Sequence, residues 1–289
     1  MHYDLEHLRK DGKLEQLPGN ISYLAFCKHM TFAGLGNDLF PMAKFRYWGN
    51  FFSWLQHWNN SHFSIPTPLN KDPTEISYVS NRIGRAFADY FAKKLYGARF
   101  THSYEDAMVR QGHKIKGKRP DFYCDNLSSQ FAIEAKGKSK KVVTSVEMTK
   151  VKAQANSGPL KVNFSVASVS YNLYSSPKIK FHDPVGGDFD YDAELNMRLR
   201  SLYYSSILEL LNQLGFDSES RESDDYYSYD IFPLVSLGIR LVLHRAIVDR
   251  DWYSNEWLEG ITFSDNDDDR PEPTRYIDLD GIGLTMRPK

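Results

Sequence analysis

The sequence predicts an α/β fold, and three observations carry that reading. Ile76, Val79, Ile83, Phe87, Tyr90, Phe91 and Leu95 recur at helical spacing and form one apolar stripe. Two short strand-like runs follow, Asp121–Cys124 and Phe131–Lys136, with the turn formers Asp125-Asn126-Leu127-Ser128-Ser129 between them. Then come a helix-like segment, Val142–Ala155, and a strongly strand-like one, Lys161–Tyr174. The order is helix, strand, hairpin, helix, strand.

Each element has a local cause. The long helix has a capped start in Asp72-Pro73-Thr74-Glu75, with Asp72 as cap and Pro73 in the first turn. Gly97 supplies its stop. Residues 98–118 are expected to hold the first strand and a polar loop. Pro120 keeps Arg119 extended and suits the first residue of a strand, since it has no N–H to donate. Along Phe131–Lys136 the side chains alternate. Glu134 and Lys136 therefore share one face, and Ile133 and Ala135 the other. Folding the hairpin about Leu127 sets Asp121 opposite Ile133 or Glu134, within the roughly 5 Å of cross-strand neighbours. Tyr191–Leu214 reads as a further helix, Ile239–Leu243 as a buried strand and Tyr276–Met286 as a last strand.

Residues 1–70 form an aromatic-rich extension, expected to be helical on the spacing of Phe45, Tyr47, Trp48, Phe51, Phe52, Trp54, Leu55 and Trp58. Ser64–Pro68 reads as a linker. The chain has 289 residues, enough for one sizeable core with appendages. Its 14% aromatic content argues against disorder. Two cysteines, Cys27 and Cys124, make no disulfide framework. No apolar run spans a membrane, and the polar opening residues are unlike a secretory leader, so a cytoplasmic setting is expected.

Charge is unevenly spread. Residues 110–152 carry eleven Lys/Arg against four Asp/Glu, a net of +7, although the whole chain is near −1. Such a patch is the electrostatic footprint of a polyanion partner. Lys138, Lys140 and Lys141 follow the Glu-x-Lys strand directly; with Lys118, Arg119 and Lys152 they are the expected phosphate contacts. The stretch 217–280 balances them at −11, with Asp265-Asn266-Asp267-Asp268-Asp269 its densest part.

Two acids and a lysine on adjacent strands are what a metal-dependent phosphodiester hydrolase requires. The pattern Pro120-Asp121, Ile133-Glu134-Ala135-Lys136 resembles the PD-(D/E)xK nuclease superfamily. The resemblance covers residues 72 to 175. It implies a restriction-endonuclease-like core, a mixed central sheet flanked by helices, with N-terminal helical and C-terminal extensions. The nuclease domain is expected over 71–289, with an acidic elaboration from about residue 216. By the same resemblance, Asp121, Glu134 and the Ala135 carbonyl ligate Mg²⁺, with Mn²⁺ as a substitute, and Lys136 is the catalytic lysine. Glu75, then Asp89, is the candidate for a further helix-borne acid. Gln154 is a candidate on the helix after the hairpin. The expected activity is endonucleolytic, on DNA with RNA left open, by a homodimer or with a protein partner in a defence complex. The alternative is a catalytically silent nucleic-acid-binding subunit. The bland reading of the motif, a surface ion pair beside a turn proline, stands against both. Gly137-Lys138-Ser139 resembles the end of a P-loop, but the glycine five positions earlier is replaced by Ala132.

Overall fold

A computed structural model describes residues 1–34, 62–64, 71–183, 186–213, 219–221, 225–231, 234, 238–263 and 274–287. The chain opens with a hairpin, β1 (His2–Leu8) and β2 (Leu14–Asn20), and a helix, α1 (Tyr23–Phe32). The long helix α2 (Pro73–Tyr96) leads to β3 (Phe100–Ser103), a short helix α3 (Tyr104–Arg110), and the hairpin β4 (Phe122–Asp125) and β5 (Gln130–Gly137). Helix α4 (Ser145–Ala155) then crosses to β6 (Phe164–Tyr171), followed by β7 (Lys178–His182) and α5 (Ala193–Gln213). The last part holds β8 (Glu219–Arg221), β9 (Tyr226–Tyr229) and β10 (Ile239–His244). After them come the short helices α6 (Arg245–Val248) and α7 (Glu256–Glu259), then β11 (Arg275–Ile277) and β12 (Ile282–Met286).

The fold is mixed α/β. Its main sheet has seven strands in the order β2-β1-β7-β6-β5-β4-β3. The pairs β5–β6 and β1–β7 are parallel and the rest antiparallel. The β5–α4–β6 unit is the crossover that a parallel pair requires. One face of the sheet packs on α1 and α2 through Phe131, Ile133, Ala135 and Val166. On the other face Ala132 packs against Tyr104, Leu195 and Leu199, and Ala167 and Val169 against α4. A second, five-stranded sheet, β11-β12-β10-β9-β8, is antiparallel throughout.

Several local expectations hold. Asp72 caps α2, accepting from Thr74 N at 2.8 Å, and Gly97 ends it at φ +63°. Phe122 pairs with Ile133, and Leu127 sits in the turn at φ +71°. Cys124 is a buried, free core residue.

Others are corrected. Residues 2–20 are not helical: β1 and β2 form a hairpin, and β1 lies beside β7 inside the main sheet. The cause is the alternation Tyr3, Leu5, His7, buried in turn against exposed or half-buried neighbours. The aromatic run 39–58 and residues 65–68 lie outside the described residues, but Phe63 is buried and donates its N–H to Leu173 O. The expected loop over 98–118 contains α3, whose Tyr104, Ala107 and Met108 are buried. The last strand is two strands folded about Asp278–Gly281. Among the described residues, no helix is long and apolar enough to cross a membrane.

Candidate active site

The β4–β5 hairpin ends unevenly. Beyond Phe122, β4 stops pairing, while β5 continues through Glu134, Ala135 and Lys136 along β6. Asp121 sits at that step. Its N–H donates to Ile133 O at 3.0 Å, and its Oδ2 accepts from Ala135 N at 3.0 Å. A strand residue presents its N–H and C=O to the same side. The Ala135 carbonyl therefore faces the side on which Asp121 lies. Asp121 is about a quarter exposed.

Glu134 points to the α4 face and its side chain is fully buried. Lys136, one period further along the same face, is in ion-pair contact with its Oε1. Neither Glu134 oxygen accepts a well-formed hydrogen bond. Burial and the adjacent Asp121 charge push its carboxyl up to about 8, against the pull of Lys136. A fully buried carboxyl with a single cationic partner is costly to ionise, and native structures rarely keep one without a use.

Helix α2 crosses β5 at this point in direct backbone contact. A Cβ on Gly137 would fall 1.5 Å from Ser80 O, and one on Gly84 would fall 2.5 Å from Gly137 N. The two glycines let helix and strand touch, and the next helix residue, Arg85, reaches the site. Its Nη1 donates to Asp121 Oδ1 at 2.7 Å, and its guanidinium lies 4.3 Å from the centre of the Phe122 ring. Sequence reasoning missed Arg85. The available signal was a glycine inside a strong helix and another just after the lysine.

The remaining expected residues fall in three groups. Glu75 lies ten residues before Arg85, roughly 15 Å along the helix axis, so at the level of Asp121 the helix presents a base and not an acid. Asp89 is engaged elsewhere: it accepts from Thr101 at 2.6 Å and pairs with His29 at 2.8 Å. Lys138 and Lys140 both pair with Glu147, which also closes the capping box on Thr144 at the start of α4. Arg119 pairs with Glu105 and donates to Gly117 O. Gln154 donates to Arg119 O at 3.1 Å, tying α4 to the loop before Asp121. Lys118 and Lys141 are exposed and Lys152 is half-buried.

No protein-family model matches the chain, and no curated protein or solved structure registers as a match. The site therefore has to be judged on its own chemistry.

A second polar group competes for attention. His29, Asp89 and Asp278 bring ligand atoms within 4.8 Å of one another, all buried. Two ammonium groups already fill that space. Lys28 contacts Asp278 and Asp280, and Lys93 contacts Asp278 and, at 2.9 Å, Asp280. Tyr203 donates to Asp280 at 2.7 Å, and His29 Nε2 meets Tyr276 Oη at 2.9 Å. Burial alone would raise the Asp89 and Asp278 carboxyls. The lysine charges beside them more than reverse it and hold both well below the usual range. A divalent ion would have to displace these lysines, so the group reads as a self-neutralised structural cluster joining α1 and α2 to the second sheet. His102 lies on β3; burial, and then the Arg200 charge, push it down to about 3.

Proposed function

We propose that the chain is a metal-dependent nuclease of the PD-(D/E)xK type, with a restriction-endonuclease-like core formed by α2, the β3–β6 strands and α4. The single observation that supports it best is the step in the β4–β5 hairpin. There Asp121, the buried Glu134 and the Ala135 carbonyl converge beside Lys136. The donor set is all oxygen, which suits Mg²⁺ or Mn²⁺, and the buried Glu134, whose Oε1 already meets the Lys136 ammonium, fits a group that expects a cation. Asp121, Glu134 and the Ala135 carbonyl would hold the ion. When bound, it would polarise the scissile phosphate and lower the pKa of an attacking water.

The chain's own residues supply the rest. The Ala135 N–H fixes the rotamer of Asp121. Lys136 is about one-third exposed, so its ammonium faces both Glu134 and solvent, where it can donate to charge developing on the phosphate. Burial of Glu134 lowers the local dielectric and strengthens both interactions. The basic stretch 110–152 supports a nucleic-acid substrate, and DNA is the reading adopted, in a homodimer or a defence complex.

The test is cleavage of supercoiled plasmid, linear duplex and single-stranded DNA with Mg²⁺ or Mn²⁺. Metal-dependent cutting that Lys136→Ala and Glu134→Ala both abolish is the expected result. One observation favours a second reading, a catalytically silent nucleic-acid-binding subunit: Arg85 already supplies Asp121 with a cation. DNA binding with no cutting and no metal uptake would select it.

A further inference from the structure

Arg85 occupies an unusual position for a residue that no motif predicts. It stems from the face of the sheet opposite Glu134, and it reaches Asp121 only because Gly84 and Gly137 let α2 touch β5. Its guanidinium has three close neighbours. Asp121 Oδ1 accepts from Nη1, the Phe122 ring centre lies 4.3 Å away, and Gly34 comes so near that a Cβ there would fall 2.8 Å from Nη2. Gly34 has φ +68°, so a side chain there is disfavoured twice. Among the described residues, the Asp121 bond is the one hydrogen bond Arg85 makes, and its side chain is about a quarter exposed. Guanidinium has five N–H donors in a rigid fork, and several of them make no hydrogen bond to the described residues.

We infer that Arg85 takes the place of a second cation, so that this site accepts one divalent ion and Arg85 itself receives the scissile phosphate. The inference rests on the nuclease reading above. Position is the first argument. Two-metal sites separate their ions by about 3.5–4 Å, with a carboxylate shared between them. One Asp121 oxygen already accepts from Arg85 Nη1 at 2.7 Å, so a second ion sharing that oxygen would have to displace the guanidinium. Charge is the second. Asp121 and Glu134 together carry −2 when ionised, and Arg85 and Lys136 carry +2. One divalent ion then balances the doubly negative transition state of phosphodiester hydrolysis. A second would leave the site strongly positive and hold the product. Shape is the third. A planar fork that grips Asp121 with one nitrogen can present its others to phosphate oxygens, the geometry for which arginine is suited over lysine.

The experiment combines Mn²⁺ binding by calorimetry with cleavage kinetics on the full chain, for wild type, Arg85→Gln and Arg85→Lys, each checked for a native melting transition. The expected result has three parts. Wild type binds one Mn²⁺ per chain, and its cleavage rate is first order in Mn²⁺ below saturation. Arg85→Gln still binds Mn²⁺ but cuts about 10²–10³-fold more slowly, the cost of losing one preorganised donor. Arg85→Lys, which keeps the charge, recovers about tenfold of that loss. Two Mn²⁺ per wild-type chain with a cooperative rate dependence would overturn the inference and leave the nuclease reading standing. So would an Arg85→Gln protein that cuts at the wild-type rate. A folded wild type that binds no Mn²⁺ would overturn the nuclease reading itself, and this inference with it.

Discussion

Two regions of the molecule gather carboxylates and cations, and they do it in opposite ways. Behind α1, Asp89, Asp278 and Asp280 are all buried, and each meets several donors from Lys28, Lys93, Thr101, His29 or Tyr203. At the hairpin step, Glu134 is equally buried but neither of its oxygens takes a well-formed hydrogen bond. The first arrangement spends its polar groups on each other and pins the second sheet to the core. The second leaves acceptor capacity unused in a low-dielectric site. Completeness of partnering, more than the number of acids, separates a structural cluster from a candidate active site. It is also why the three-ligand group that looks most like a metal centre is the weaker candidate.

The comparison can be broken in several places. The largest effect is expected at Lys136 and Glu134. Lys136→Ala should lower the cleavage rate by about 10²–10⁴-fold with little change in melting temperature. Asp278→Ala should do the reverse. Removing one partner from a fully buried ion cluster costs about 3–5 kcal/mol, which a denaturant titration would read. Any loss of cleavage should then follow the fraction unfolded. If Asp278→Ala were as stable as wild type but inactive, the cluster would have a functional role and the contrast would fail.

A second effect concerns the helix–strand contact. Gly137→Ala puts a Cβ into Ser80 O, so α2 must lift from β5 and carry Arg85 away from Asp121. Overpacking of this kind costs about 1–3 kcal/mol or more. Cleavage should fall further than Ser80→Ala lowers it, and wild-type activity in a folded Gly137→Ala protein would show that the close crossing does not position the site.

The pH dependence of stability separates the two regions by sign. Burial and the Asp121 charge push the Glu134 carboxyl up to about 8 in the folded chain, from an ordinary 4.5. Its folded value is raised, so the stability it allows is complete below about 4.5 and is lost as pH rises toward 8. Asp121 and Lys136 are the charges that act on it, the Asp121 charge adding to the rise and Lys136 opposing it. Asp89 and Asp278 are held low, so their contribution is present above the ordinary aspartate value of 3.8 and is lost as pH falls through their folded range. Thermal melts from pH 4.5 to 8 should show a downward slope that Glu134→Gln removes. A slope unchanged in that variant would refute the assignment. Mg²⁺ should flatten it in wild type, because the ion binds the ionised form.

The smallest expected effect is at the lysines. Glu147 holds Lys138 and Lys140 in the free protein, so Glu147→Gln should tighten DNA binding several-fold and steepen its salt dependence by about one unit of slope. Glutamine preserves a capping-box partner for Thr144, so the helix should persist. Weaker binding would mean that Glu147 orders the two lysines for phosphate and does not compete with it.

How much of this could be read from residues alone follows from distance along the chain. Asp121, Glu134 and Lys136 lie within one short hairpin, where alternation and a turn fix their relation, so their convergence was legible. The caps of α2 were legible for the same reason. Arg85 was not, because it reaches Asp121 across 36 residues through a backbone contact that only paired glycines permit. In the sequence Asp278 and Asp280 are two acids among the many of the 217–280 stretch. Their burial depends on Lys28 and Lys93, 185 to 252 residues away. The β1–β7 pairing is similarly remote. At the N-terminus the helical expectation rested on the aromatic spacing at 39–58, and the alternation of Tyr3, Leu5 and His7 that makes β1 lies outside that stretch.

The most direct measurement is to follow plasmid cleavage and melting temperature together in wild type and Glu134→Gln at pH 7.5 with Mg²⁺. The account predicts metal-dependent cutting by wild type. The expected variant no longer cuts yet, without metal, melts no lower than wild type, since a buried acid whose ionisation is costly has been replaced by a neutral amide. A variant that cuts at the wild-type rate, or a stable wild type that never cuts, would contradict it.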